Sequence, residues 1–169
     1  MSAFNDQRRA IDRVAKTSDK LGIATEHLMQ MQYAASLSGV ETRKLNMALQ
    51  RMTRRVAEAA TGTGEARDAL ALLRLDARKL AELSPDKQFL TFASAMQKVE
   101  SQGQRVRIAF KLFDSEGVDV VNMLQRGTAG LTAMYREADQ LGLTLSRVDA
   151  AQVEMANDSL RRVGAVGEG

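Results

Sequence analysis

Apolar side chains recur every three or four residues along most of this chain, and short stretches containing glycine interrupt them. That spacing places them on one side of an α-helix. Over residues 2–20, Phe4, Ile11, Val14 and Leu21 fall roughly on one side, and Arg8, Arg9, Asp12, Arg13, Lys16, Asp19 and Lys20 cover the rest. So weakly apolar a helix is marginal alone and calls for a partner surface. Gly22 breaks the pattern. Thr25 is then placed to cap a second helix, because its hydroxyl can accept from a free backbone N–H. Leu28, Met31, Tyr33, Ala34, Ala35 and Leu37 make that helix apolar on more than one side, hence largely buried. Gly39 suits the left-handed position that ends it. The cleanest stripe is Leu45, Leu49, Met52, Val56 and Ala59 or Ala60, predicting a helix over 41–61.

Thr61-Gly62-Thr63-Gly64 is a loop, followed by a helix over 65–73 and a short helical turn through Leu80 capped by Asp76. Ser84-Pro85-Asp86 is a helix start: serine caps, proline takes the first position, and the acid meets the positive end of the helix dipole. This helix is predicted to run to about Ser101, with Gly103 as the interruption before Arg105–Phe113. The face expected inward there is Val106, Ala109, Phe110 and Phe113. Ser115-Glu116-Gly117 reads as a turn, Asp119–Gln125 as a short helix, and Gly127 and Gly130 flank the start of a helix that Gly142 stops. Ser146 and Asp149 nearly form a capping box for a last, longer helix to about Val163, whose apolar stripe drifts. No alternating strand pattern competes. The expectation is an all-α, irregular multi-helix domain of about eight short amphipathic helices with glycine breaks and a longer terminal helix. Its segments are an N-terminal helix (1–20), a helical domain (21–146), and a C-terminal helix with a flexible tail (147–169).

Composition narrows the chemistry. There is no Trp and there are only 5 Phe and 2 Tyr, so the core must be Leu, Ala, Val and the 9 Met. With no cysteine, disulfides and zinc–thiolate sites are excluded. His27, the single histidine, has no nucleophile signature near it and reads as a surface or capping residue. Asp114–Asp119 resembles a calcium loop but lacks the ligand offsets and the closing glutamate. The Gly-Thr-Gly loop lacks the Lys-Ser/Thr of a phosphate loop. Thus no catalytic residue, metal or cofactor is expected, nor any membrane span or secretory signal. Net charge is +3, concentrated as a basic excess in the first half. Arg43, Arg51, Arg54 and Arg55 are the candidate exposed contact face. With Lys44 they also admit an alternative, a helical DNA-binding or regulatory module with a helix-turn-helix over 25–60. Low overall charge and the lack of interleaved aromatics argue against nucleic acid.

The order of these features also resembles a known family. Leu21-Gly22-Ile23, the helix end Tyr33-Ala34-Ala35-Ser36-Leu37-Ser38-Gly39-Val40, and the following Leu45-Asn46-Met47-Ala48-Leu49-Gln50-Arg51 are similar to the N-terminal helical region of phage and prophage tail tape measure proteins. The resemblance continues through the Gly-Thr-Gly loop and the Ser-Pro-Asp helix to about Ser146. It implies a structural role in tail-length determination and tail assembly, without catalytic residues. The implied partners are tail tube, tail assembly chaperone and tip proteins, with self-association a further expectation. The implied setting is the virion tail, and the bacterial host cytoplasm during assembly. Two departures stand out: the chain lacks the hydrophobic segments many members carry, and even a continuous helix of this length would reach only about 250 Å. A fragment, a split or decayed prophage gene, or an isolated domain is therefore expected.

Overall fold

The computed structural model describes residues 3–143, with side chains from residue 5. The last helix, its Ser146–Asp149 cap and the 147–169 segment therefore lie outside the described residues. Within them the chain is all α: α1 (Ala3–Leu21), α2 (Thr25–Leu37), α3 (Thr42–Ala60), α4 (Ala66–Leu72), α5 (Ala77–Ala81), α6 (Pro85–Met96), α7 (Gln102–Phe113), a 3-10 turn (Asp114–Glu116), α8 (Gly117–Leu124) and α9 (Gly127–Gln140).

Five of the breaks share one mechanism. After α1, α2, α3 and α9 a glycine takes a positive φ: Gly22 (74°), Gly39 (75°), Gly62 (84°) and Gly142 (70°). The next N–H then donates back to the carbonyl five residues earlier, as from Val40 to Ala35 at 2.8 Å and from Thr63 to Glu58 at 3.0 Å. This closes carbonyls the helix would otherwise leave open. Ile23 and Val40 follow two of these glycines and are both buried, so those two turns send the chain straight back into the core. After α4 the same geometry is made by Arg74 (φ 57°), with Leu75 N–H donating to Leu70 O at 2.9 Å. A non-glycine residue there costs on the order of 1 kcal/mol, and nothing in the local sequence announces it.

α3 is the central helix. It packs against α1, α2 and every described element from α4 to α8. Leu45, Leu49, Met52, Val56 and Ala59, the stripe read from spacing, are all buried. The core is not Leu, Ala, Val and Met alone: Phe89 and Phe92 of α6, fully buried, meet Phe113 of α7 edge-on, with ring centroids 6.0 and 6.1 Å apart. A single apolar cluster runs from Ile23 to Met134. α1 lies at its edge and, among its side chains described, buries Ala15 and Ser18 alone.

Four local expectations need correction. Thr25 does not cap α2; Ala24 holds that position and makes no side-chain bond. Instead Ser18 Oγ donates to Ala15 O at 2.8 Å and lies 2.9 Å from Thr25 Oγ1. With its one proton committed, Ser18 receives the threonine's, and the pair ties α1 to α2. Ser84 precedes the helix start as expected, but its side chain makes no cap bond. α6 stops at Met96, not near Ser101: tight i→i+3 bonds from Lys98 and Val99 unwind it. Ser101 is then the cap of α7, accepting from Gln104 N at 3.4 Å, and Gly103 sits inside that helix. Finally, Phe110 faces outward at 43% exposure, and Ile108, Ala109, Leu112 and Phe113 form the buried side of α7.

Candidate functional site

The basic residues of α3 are where sequence placed a contact face. The helix sorts them by phase. Lys44, Arg51 and Arg55 are seven and four residues apart and so share a side. That side meets the junction between α7 and α8, the acidic stretch Asp114–Asp119.

The junction is tightly built. α7 ends at Asp114, whose backbone (φ 62°, ψ −144°) lies in a region glycine normally occupies. Strain of this kind is of order 1–3 kcal/mol and persists only where the surroundings hold it. Gly117 opens α8 hard against α7: a Cβ there would stand 2.3 Å from Ala109 O. Arg55, only 5% exposed, reaches in from α3. Its Nη1 donates to Phe110 O and to Lys111 O, both at 2.8 Å, satisfying carbonyls at the negative end of α7. Its Nη2 lies 3.2 Å from Asp114 Oδ2 and 3.5 Å from Glu65. Arg51 donates to Ser115 Oγ at 3.0 Å and pairs with Glu116, with Asp114 at 3.7 Å. Lys44 lies 3.5 Å from Asp119. Two arginines and one lysine thus answer the three carboxylates that make this stretch look like a calcium loop.

The four candidate residues therefore separate. Arg51 and Arg55 turn inward and fasten the α7–α8 junction, so they do not belong to an exposed contact face. Arg43 is exposed on the first turn of α3, and Arg54, also exposed, lies 3.6 Å from Glu58 one turn on. The two helices expected for a helix-turn-helix are present as α2 and α3, but three of the cations on α3 face the chain's own carboxylates. His27 is exposed and lies against Gln30 at 3.2 Å, consistent with a surface histidine.

Other polar side chains also serve the fold. Gln88, buried in α6, donates to Leu80 O at 3.0 Å and Leu83 O at 3.1 Å, closing the end of α5. Tyr33 donates to Glu137 at 2.5 Å, joining α2 to α9. That hydrogen bond, with some desolvation and the glutamate's charge, holds the Tyr33 phenol above its ordinary range. Tyr135 is raised too, by burial first and then by the charge of Asp86; its hydroxyl has no hydrogen-bond partner. Among the described residues no group of three or more His, Cys, Asp or Glu is placed to hold a metal.

Two larger grooves mark the surface. One, of about 720 Å³, lies between the α4–α5 connection and α6 and is lined by Leu72, Leu75, Leu90 and Val99 with Arg74 and Lys98. The other, of about 690 Å³, lies between α1 and α3. Sequence reasoning named neither, because each is made by elements distant in the chain. Arg43, which lines the second, is the one candidate residue that belongs to a groove of this size.

No family model matches the chain, and no curated protein or solved structure matches it. The descriptors that came with the resemblance (phage tail, tape measure, prophage, virion assembly) are corrected. Membrane-spanning helices are typical of tape measure proteins, and among the described residues no helix is long and apolar enough to cross a membrane. Of that set only the all-α character stands as a description of this chain.

Proposed function

We propose that this chain is a non-enzymatic structural module that works by helix-mediated protein contacts, with tail proteins as its candidate partners. The observation that carries this reading is how the side chains are spent. Lys44, Arg51, Arg55 and their carboxylate partners are engaged in fastening helices together, while large apolar side chains remain outside. Leu72 is 56% exposed, Val118 55% and Leu141 59%. Such residues are ordinary when scattered, but Leu72 sits in a groove with Leu75, Leu90 and Val99, beside Arg74 and Lys98, and an apolar hollow with a charged rim suits protein contact.

The test is co-purification of the full chain with candidate tail tube, assembly chaperone and tip proteins. Stable association with one of them is the expected result. Failure to associate with any tail component overturns the assembly role. Binding to duplex DNA that falls steeply with salt would move the assignment to the nucleic-acid alternative.

A further inference from the structure

The groove between α1 and α3 differs from the rest of the α3 surface in its charge. Its apolar lining is Val14 and Leu21 of α1 and Met47 of α3, and its cations are Arg13, Lys20 and Arg43. None of its lining residues is Asp or Glu. On the junction side of α3, by contrast, each cation meets a carboxylate of the chain itself. The groove also continues along the helix. A smaller hollow of about 350 Å³ shares Met47 and Gln50 with it and is closed by Arg54 and by Arg51, whose guanidinium turns to the junction. From Arg43 to Arg54 the helix rises about 16 Å, or roughly three turns of any helix laid beside it.

We propose that this groove takes an acidic amphipathic helix from a partner protein. A leucine-type side chain every three or four residues would cover Val14, Leu21 and Met47. Carboxylates flanking that stripe would meet Arg13, Lys20 and Arg43. The weak apolar side of α1 fits the same picture, since the visiting helix completes the burial that α1 achieves only in part. Single-stranded nucleic acid is the poorer occupant: no aromatic side chain lines the groove to stack a base. The proposal rests on the association role above and names where and with what chemistry it occurs.

The test is a displayed library of helical peptides with a fixed leucine stripe and Glu, Lys, Gln or Ser randomised elsewhere, selected on the full chain. Glu is expected to be enriched over Lys. Selected peptides should lose about tenfold or more in affinity to Lys20→Glu with Arg43→Glu, and to Met47→Asp, and none to Arg136→Glu on α9. All four positions reach the surface, and circular dichroism of each variant checks that it folds. No preference for Glu, equal binding to the groove variants, or displacement of the peptides by duplex DNA overturns the proposal. Tail-protein association that survives the groove variants sinks the groove and leaves the association role. Acidic peptides selected by a chain that binds no tail component sink the association role and leave the groove.

Discussion

Arg54 and Arg55 are neighbours on one helix and have opposite fates. One helical step turns Arg54 to solvent, where its partner is Glu58 one turn away. The same step turns Arg55 into the wall of the domain, where it holds two carbonyls of α7 and the carboxylate of Asp114. The two tyrosines repeat the contrast. Both are half-buried, but the hydroxyl of Tyr33 reaches Glu137 at the surface, whereas that of Tyr135 is buried and finds no acceptor. Residue type sets neither outcome. What matters is the helical phase and what the facing element offers there: water, a carboxylate, the open end of another helix, or nothing.

The contrast can be broken or sharpened by experiment. Phe113→Ala sets the scale for a fully inner position. It removes the ring that Phe89 and Phe92 both touch, and should cost about 3–5 kcal/mol in urea unfolding. Arg55→Ala comes next at about 2–3 kcal/mol, because charge-assisted bonds to carbonyls of α7 are lost and the strained Asp114 loses a partner. A cost below that of Arg54→Ala would mean the two arginines are not divided as described. Tyr135→Phe should act in the opposite direction and stabilise by about 1 kcal/mol near neutral pH, since an unpaired buried hydroxyl is removed.

The same substitution has a pH signature. Both tyrosines are raised above the ordinary value of 10.0, so the folded state favours their neutral forms. That contribution is fully present below the unfolded pKa and is lost as pH climbs past it toward the folded value. Tyr135→Phe should therefore gain further on the wild type above about pH 10 in chemical unfolding. The smallest effects belong to Arg43→Ala and Arg54→Ala, each within about 0.5 kcal/mol of wild type in thermal melts. A large loss at either would place it with the inner pair.

Much of the fold was legible because it depends on neighbours in sequence. The stripe of α3 follows from 3.6 residues per turn, and Gly22, Gly39, Gly62 and Gly142 end helices because only glycine enters the left-handed region without cost. Asp76 caps α5 through bonds to Arg78 N and Lys79 N, two and three residues away, and was equally readable. The candidate site was half legible. Spacing shows that Arg51 and Arg55 share a side of α3; it does not show that α7 ends against that side.

Sequence alone therefore determined the helical class, most of the breaks and the buried stripe of α3, all of them consequences of local periodicity and backbone preference. Tertiary structure decided which cations face inward, why Phe110 lies outside while Phe113 lies at the centre, how Arg74 comes to hold a glycine's conformation, and where α1 and α3 leave a groove between them. Those outcomes depend on contacts between segments far apart in the chain. Their energies are set by what each facing surface presents rather than by anything in the local run of residues.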